Sequence, residues 1–177
     1  MSTYTINGIT LELAQGNIVA AEVDAIVNAA NAALAGGGGV DGAIHRAAGP
    51  SIIEECRKIG GCPTGKAVAT TAGKLPARYI FHAVGPIYQQ RSEDAPLLVS
   101  AYQSCLELAN HHHLQSIAFP SLSTGAYGYP VHLAAPLALG TILTYMRHPG
   151  SLQHIRFVLF DKHTYEVYQK ALQRLSA

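Results

Sequence analysis

The segment that most constrains the fold is Val23-Asp24-Ala25-Ile26-Val27-Asn28-Ala29. It is a short, nearly continuous apolar run without alternation, which suits a strand covered on both faces. Such a strand needs helices above and below it, and the rest of the chain supplies them. Ahead of it, Tyr4 and Ile6, then Ile9, Leu11 and Leu13, alternate around Asn7-Gly8, the strongest short hairpin signal. Beyond it, a glycine run at 36–39 opens a predicted helix over 40–48. A second helix is expected over 50–59, with Pro50 in its first turn and Gly60-Gly61 as its stop. Strands are predicted at 67–71 and 78–84. A helix follows over 97–110, with Leu97, Leu98, Ala101, Cys105 and Leu108 at helical spacing. A strand at 116–119 ends at Pro120, and a loop over 121–130 leads to a helix around 132–146. A buried strand over 155–160 and a helix over 164–175 complete the chain. This alternation predicts one α/β domain spanning 1–177 with helices on both sheet faces. There is no repeat, low-complexity tract or linker.

Charge narrows the partners. Only 13% of the 177 residues are charged and the formal net charge is +1, against about 25% charged in an average protein. Holding a long polyanion requires clustered Lys and Arg, whereas Arg46, Lys66, Lys74, Arg78 and Arg91 are scattered. The composition therefore disfavours DNA or RNA held by a basic face. Cys56, Cys62 and Cys105 are an odd number with no disulfide pattern, and the first residues carry no signal-peptide pattern. A cytoplasmic location is the expectation. The apolar stretch from 133 to 146 is too short for a bilayer span and contains Pro136 and Gly140, so no membrane association is expected.

Two phosphate-loop patterns match in form but lack essential parts. Gly37, Gly39 and Gly42 satisfy G-x-G-x-x-G, yet no acid stands about 20 residues further on. Residues 60–66 match most of a P-loop, yet Ala67 occupies the place of the magnesium-binding hydroxyl. What remains is a general property: the first glycine run follows a strand and opens a helix, where free N–H groups and a helix dipole favour an anion without lysine. Ser123-Thr124-Gly125-Ala126-Tyr127-Gly128 also follows a strand and leads to a helix. The two loops read either as tight turns or as two halves of a diphosphate cradle.

No G-x-S-x-G elbow and no metal-ligand spacing is visible, and no cofactor is expected. His111-His112-His113 reads as surface histidines at a helix end. His45 and His82 read as satisfied structural histidines, and neither Cys56 nor Cys62 has a partner legible in sequence. Asp41 lies at the helix start within the glycine loop, where it is either a helix cap or a carboxylate handling a water or proton beside a bound phosphate.

Three segments taken together, Val23 through Asn31, Gly36 through Pro50, and Ser123 through Pro130, closely resemble the macrodomain family. Within it they are similar to the MacroD-type branch, which includes bacterial O-acetyl-ADP-ribose deacetylases. Cys62-Pro63-Thr64-Gly65, His82-Ala83-Val84-Gly85-Pro86 and Ala118-Phe119-Pro120 extend the likeness over nearly the whole chain. The resemblance implies a three-layer α/β/α sandwich with a mixed central sheet and a cleft for ADP-ribose. It implies that Gly16, Asn17 and Ile18 contact the adenine, and Asn31 the distal ribose. Gly39, Val40 and Asp41 would follow the distal ribose and diphosphate, and Ser123, Thr124, Gly125, Ala126 and Tyr127 would wrap the diphosphate. Phe160 would pack on the adenine or its ribose. The family usually carries Asp where this chain has Asn17. A neutral amide oxygen is the weaker acceptor, since charge-assisted hydrogen bonds are roughly twice as strong, so weaker adenine binding is expected.

The resemblance implies an ester on the distal ribose as substrate, either an acetyl group or a modified Glu or Asp of a mono-ADP-ribosylated protein. Asp41 would orient water or accept its proton, Asn31 would hold the ribose hydroxyl, and the substrate's own phosphate would help place the water. Neither a metal nor a nucleophilic side chain is then required. Alternatives are a non-catalytic ADP-ribose reader, a regulator of a ribonuclease through protein contact, and an esterase for unrelated acyl groups. ADP-ribosylated nucleic-acid ends remain the one nucleic-acid substrate compatible with this reading.

Overall fold

A computed structural model of the chain describes residues 2–177. The hairpin forms from β1 (Ser2–Ile6) and β2 (Ile9–Gln15), with Ile6 opposite Ile9. Asn7 and Gly8 between them both take positive φ, 54° and 79°, as a type I′ turn demands and as Asn-Gly readily supplies. The remaining elements are β3 (Ala25–Ala29), α1 (Gly39–Ala48), α2 (Ser51–Ile59), β4 (Ala67–Thr71), β5 (Tyr79–Ala83), α3 (Asp94–His111), β6 (Ser116–Phe119), α4 (Val131–Arg147), β7 (His154–Leu159) and α5 (Lys162–Leu175). The seven strands form one sheet in the order β1-β2-β7-β6-β3-β5-β4. Edge strands β1 and β4 are antiparallel to their neighbours, and the five inner strands are parallel. The sheet is therefore mixed, and β3 lies between β6 and β5, which is why its sequence is apolar on both faces.

The two faces bury separate cores. Leu11, Leu13, Val27, Phe81, Ile117 and Phe157 pack with Leu98 and Tyr102 of α3, Leu139 and Ile142 of α4, and Tyr168 of α5. Ile26, Ile80, Ala118 and Val158 point the other way, onto Ile44 and Ala48 of α1 and Ile52 and Cys56 of α2. The result is the expected three-layer α/β/α sandwich. No helix among the described residues is long and apolar enough to cross a membrane.

Several boundaries shift for identifiable reasons. Helix α3 begins at Asp94, before the expected 97, because Pro96 falls at its third position, where a first-turn N–H has no intrahelical partner to lose. Pro50 is the residue before α2 and lies outside its first turn. Strand β7 ends at Leu159, whose partner Gln15 is the last residue of β2. Phe160 therefore stands outside the ladder and is 78% exposed, not the buried strand end that its sequence context suggests. Asp161 immediately caps α5, its carboxylate accepting from the Thr164 N–H at 2.8 Å.

Candidate functional site

The carboxyl ends of the parallel strands converge on a cleft of about 380 Å³. Ala29, Ala30 and Asn31 enter it from the end of β3, Gly85 from beyond β5, and Ser121, Leu122 and Ser123 from beyond β6. This is where an open parallel sheet presents its loops to a ligand.

One wall is the glycine run and the start of α1. The helix N-cap is Gly38 and no side chain bonds to the first turn, so the opening N–H groups of α1 are left for an anion. Asn31 folds the approach to this wall: its Nδ2 donates to the Gly36 carbonyl at 2.9 Å, and its Oδ1 accepts from the Ala35 N–H at 3.0 Å. The glycine spacing that mimics a dinucleotide fingerprint has a local cause. A Cβ on Gly42 would lie 2.6 Å from the Gly37 carbonyl oxygen, so glycine lets the loop run directly across the helix.

Asp41 is the third residue of α1 and not its cap, which removes the capping alternative. It is only 6% exposed. Its Oδ1 accepts from Asn28 Nδ2 at 2.7 Å and lies 3.3 Å from His45 Nε2, one helical turn on. Its Oδ2 points the other way: a Cβ built on Gly37 would meet Oδ2 at 3.2 Å and Asn31 Nδ2 at 4.0 Å. The bare Gly37 thus keeps open the space shared by the two side chains that carry polar chemistry in the cleft. His45 is a satisfied histidine, as expected, but its partner is Asp41 itself.

The opposite wall is the loop over 121–130, held by backbone hydrogen bonds and by side-chain hydroxyls. The Tyr129 N–H donates to the Ser123 carbonyl at 2.9 Å, Gly128 to Gly125 at 3.0 Å, and Tyr88 to the Tyr127 carbonyl at 2.9 Å. Ser123 adopts φ 67°, a conformation costly for a non-glycine residue, and its buried hydroxyl has no partner. Gly85 leaves the Ser123 hydroxyl its place, since a Cβ there would overlap Ser123 Oγ while meeting Ser123 Cβ and N only at 3.4 and 3.6 Å. In the sequence Gly85 stands only within the His82–Pro86 motif, and nothing local marks its role, which arises from residues 38 positions apart in the chain.

The cleft therefore unites Asn31, Gly39, Val40, Asp41, Ser123, Gly125, Ala126 and Tyr127. Thr124 is turned within its own loop, donating to Ser121. Asn17, Ile18 and Phe160 lie outside the lining. Asn17 caps a single 3-10 turn, Ile18–Ala20, through Oδ1 and the Val19 N–H at 3.2 Å. Ile18 is buried against the α1–α2 core, while Phe160 offers an open ring.

The Macro domain family model matches residues 27–138, which contain the end of β3, both glycine-rich loops and the first half of α4. The chain is a macrodomain. Among its relatives, a macro domain-containing protein of Caldanaerobacter subterraneus is 55% identical over 171 residues, covering 93% of this chain and 97% of the relative. A Salmonella gallinarum protein named O-acetyl-ADP-ribose deacetylase is 48% identical over 167 residues, covering 92% and 93%. The Oceanobacillus iheyensis macrodomain with ADP superposes with a TM-score of 0.96 at 42% identity, over 99% of this chain and 96% of that one. The Trypanosoma brucei macrodomain in complex with ADP-ribose gives 0.87 at 42% identity, over 92% and 68%.

One cluster in this macrodomain has the composition of a metal site. His45, Cys56 and His82 bring one ligand atom each within 4.8 Å of one another, and Cys56 thereby has the neighbour that sequence alone did not provide. Hydrogen bonding engages His82 instead. Its Nδ1 lies 3.1 Å from Asn28 Nδ2 and its Nε2 2.8 Å from Thr70 Oγ1. An amide NH2 facing Nδ1 requires the proton to sit on Nε2, which leaves Nε2 no lone pair for the metal that Cys56, at 3.9 Å, would share. Burial, reinforced by the nearby Asp41 carboxylate, also pushes the Cys56 thiol pKa up, away from the thiolate that ligation needs.

Proposed function

We propose that this macrodomain binds ADP-ribose in the cleft and hydrolyses an ester on its distal ribose. The observation that carries the reading is Asp41: a nearly buried carboxylate of the cleft lining with one oxygen tied to protein and the other beside Gly37, next to an uncapped helix N-terminus. The uncapped start of α1 and the 121–130 loop supply N–H groups for the diphosphate. Solved macrodomains with ADP and with ADP-ribose, and relatives named O-acetyl-ADP-ribose deacetylase, support the ligand and the reaction.

In the reaction, Asp41 Oδ2 takes a proton from a water whose oxygen bonds to the acyl carbon. The acyl–oxygen bond to the ribose breaks, the ribose oxygen recovers a proton, and acetate or a protein carboxylate leaves. A positioned base of this kind contributes roughly 10²–10⁴-fold. Asp41→Ala is expected to lower acetate release from O-acetyl-ADP-ribose by at least about 100-fold, with calorimetric ADP-ribose affinity retained within a few-fold. Full turnover in that variant removes Asp41 from the mechanism, and binding without release by the unaltered protein makes it a reader.

A further inference from the structure

The hydrogen bonds behind Asp41 form a directed chain across three strands. Asn28 of β3 stands opposite His82 in the parallel register with β5, and Thr70 comes from β4 on the far side of β5. Asn28 and His82 are fully buried and Thr70 nearly so, all on the face covered by α1 and α2. Each proton in this chain has one possible direction. A carboxylate has none to give, so Asn28 must turn its NH2 toward Asp41 Oδ1, 2.7 Å away. The second hydrogen of that NH2 then needs His82 Nδ1 as acceptor, so His82 carries its proton on Nε2 and donates to Thr70 Oγ1. Thr70 passes its own proton to the Thr71 carbonyl at 2.9 Å.

We propose that Asn28 and His82 are positioning residues for Asp41, fixing Oδ1 on the protein so that Oδ2, beside Gly37, is left to the cleft and the reacting water. The proposal rests on the reading of Asp41 as the proton acceptor. A carboxylate held only by His45, on the same helix, would be free to turn about its Cβ–Cγ bond. The amide of Asn28 removes that freedom, and His82 removes the same freedom from Asn28. Displacing a reacting group by about 1 Å costs about 10²-fold in rate, so a chain that never touches substrate governs turnover. The sheet does not need such a chain for its own packing: on the opposite face of the same strands the side chains are Val27 and Phe81, wholly apolar and equally buried. The ring is suited to the part because burial first, and then the neighbouring His45, lower its pKa to about 4. It stays neutral, with Nδ1 bare, at physiological pH.

The test uses the full chain with O-acetyl-ADP-ribose as substrate, ADP-ribose as calorimetric ligand, and Asp41→Ala as reference. His82→Leu removes both ring contacts, whereas His82→Asn restores an amide oxygen near the place of Nδ1 and so an acceptor for Asn28. His82→Leu is expected to lose roughly 10–100-fold in kcat, with KM and ADP-ribose affinity within about twofold, and His82→Asn to recover most of that loss. A folded His82→Leu with unaltered kcat, beside an inactive Asp41→Ala, overturns the proposal and leaves the hydrolase reading standing. Full turnover in Asp41→Ala overturns the reading beneath it, and the proposal falls with it. If His82→Leu does not fold, Thr70→Val and the imidazole nitrogen spectrum of the unaltered protein carry the test. A proton on Nε2 together with lowered kcat in Thr70→Val supports the chain, and a proton on Nδ1 or an unchanged kcat overturns it.

Discussion

On the face of the sheet covered by α3, α4 and α5, Phe119 and Phe157 stack at 5.4 Å, with Tyr102 5.4 Å from Phe119 and Tyr168 5.3 Å from Phe157. On the face covered by α1 and α2, the same sheet buries Asn28, His82 and Thr70 among Ile26, Ile80 and Cys56. Each face supports one wall of the cleft. The aromatic face ends in two hydroxyls under the 121–130 loop: Tyr102 accepts from the Leu122 N–H at 2.9 Å, and Tyr168 donates to Ser121 Oγ at 2.8 Å. The polar face ends in Asp41. A largely aromatic layer can carry this loop, because the loop makes part of its own hydrogen bonds and two tyrosine hydroxyls at the edge of the layer supply others. A side-chain carboxylate needs donors behind it to hold its direction, and these must be built into the core.

The largest effect that tests this division is Phe157→Ala. Removing a fully buried ring costs about 3–5 kcal/mol, read by denaturant unfolding, while kcat per folded molecule stays unchanged because Asp41 is held from the other face. A fall in kcat would show that the two faces are not separable.

The polar face has its own signature in acid. Unfolded, His82 titrates near 6.5; folded, near 4. Between these values the unfolded chain binds the extra proton, so stability is complete above the upper value and falls as pH drops toward the lower one. The loss attributable to this ring amounts to about 3 kcal/mol by pH 4, and an unfolding series in His82→Asn should lack it. An unchanged slope there would assign the acid sensitivity to other groups.

Next comes the floor of the backbone wall. Gly85→Ala would displace the Ser123 hydroxyl, and because that side chain can turn away, the loss in stability should lie at or below the lower end of the about 1–3 kcal/mol typical of overpacking. Because the displaced residue lines the cleft, ADP-ribose affinity should fall with stability; stability falling alone would detach Ser123 from ligand binding. The smallest expected effect is at Asn17, where Asp would strengthen both the cap on Val19 and the acceptor offered to an adenine amino group. Charged acceptors make roughly twice as strong a bond, so Asn17→Asp should tighten ADP-ribose binding a few-fold. An unchanged dissociation constant would show that residue 17 does not meet the adenine.

Much of the architecture was legible because it is written in local patterns. Asn7-Gly8 made the first turn, the unbroken apolar run at 23–29 declared a strand covered on both sides, and glycine before 40 opened a helix. Of the residues that the macrodomain-like motifs named, Asn31, Gly39, Val40, Asp41, Ser123, Gly125, Ala126 and Tyr127 line the cleft, whereas Asn17, Ile18, Thr124 and Phe160 do not. Three things were not legible. Phe160 looked like a strand end because apolar character alone does not say where the partner strand stops. Asp41 looked like a possible cap because sequence places it at a helix start without saying what stands behind it. His82 and Cys56 looked like isolated core residues because their partners come from other strands and helices.

The sequence by itself therefore determined the α/β class, the element order and the glycine loops that can approach an anion. Hydrophobic period and turn chemistry are properties of neighbouring residues, and they survive without the fold. Only the tertiary structure decided that Asn28 faces His82, that both stand behind Asp41, and that Gly85 lies under Ser123. Those pairings depend on strand order and parallel register, which bring together residues 13, 38 and 54 positions apart, and no local pattern encodes which distant strands will lie side by side.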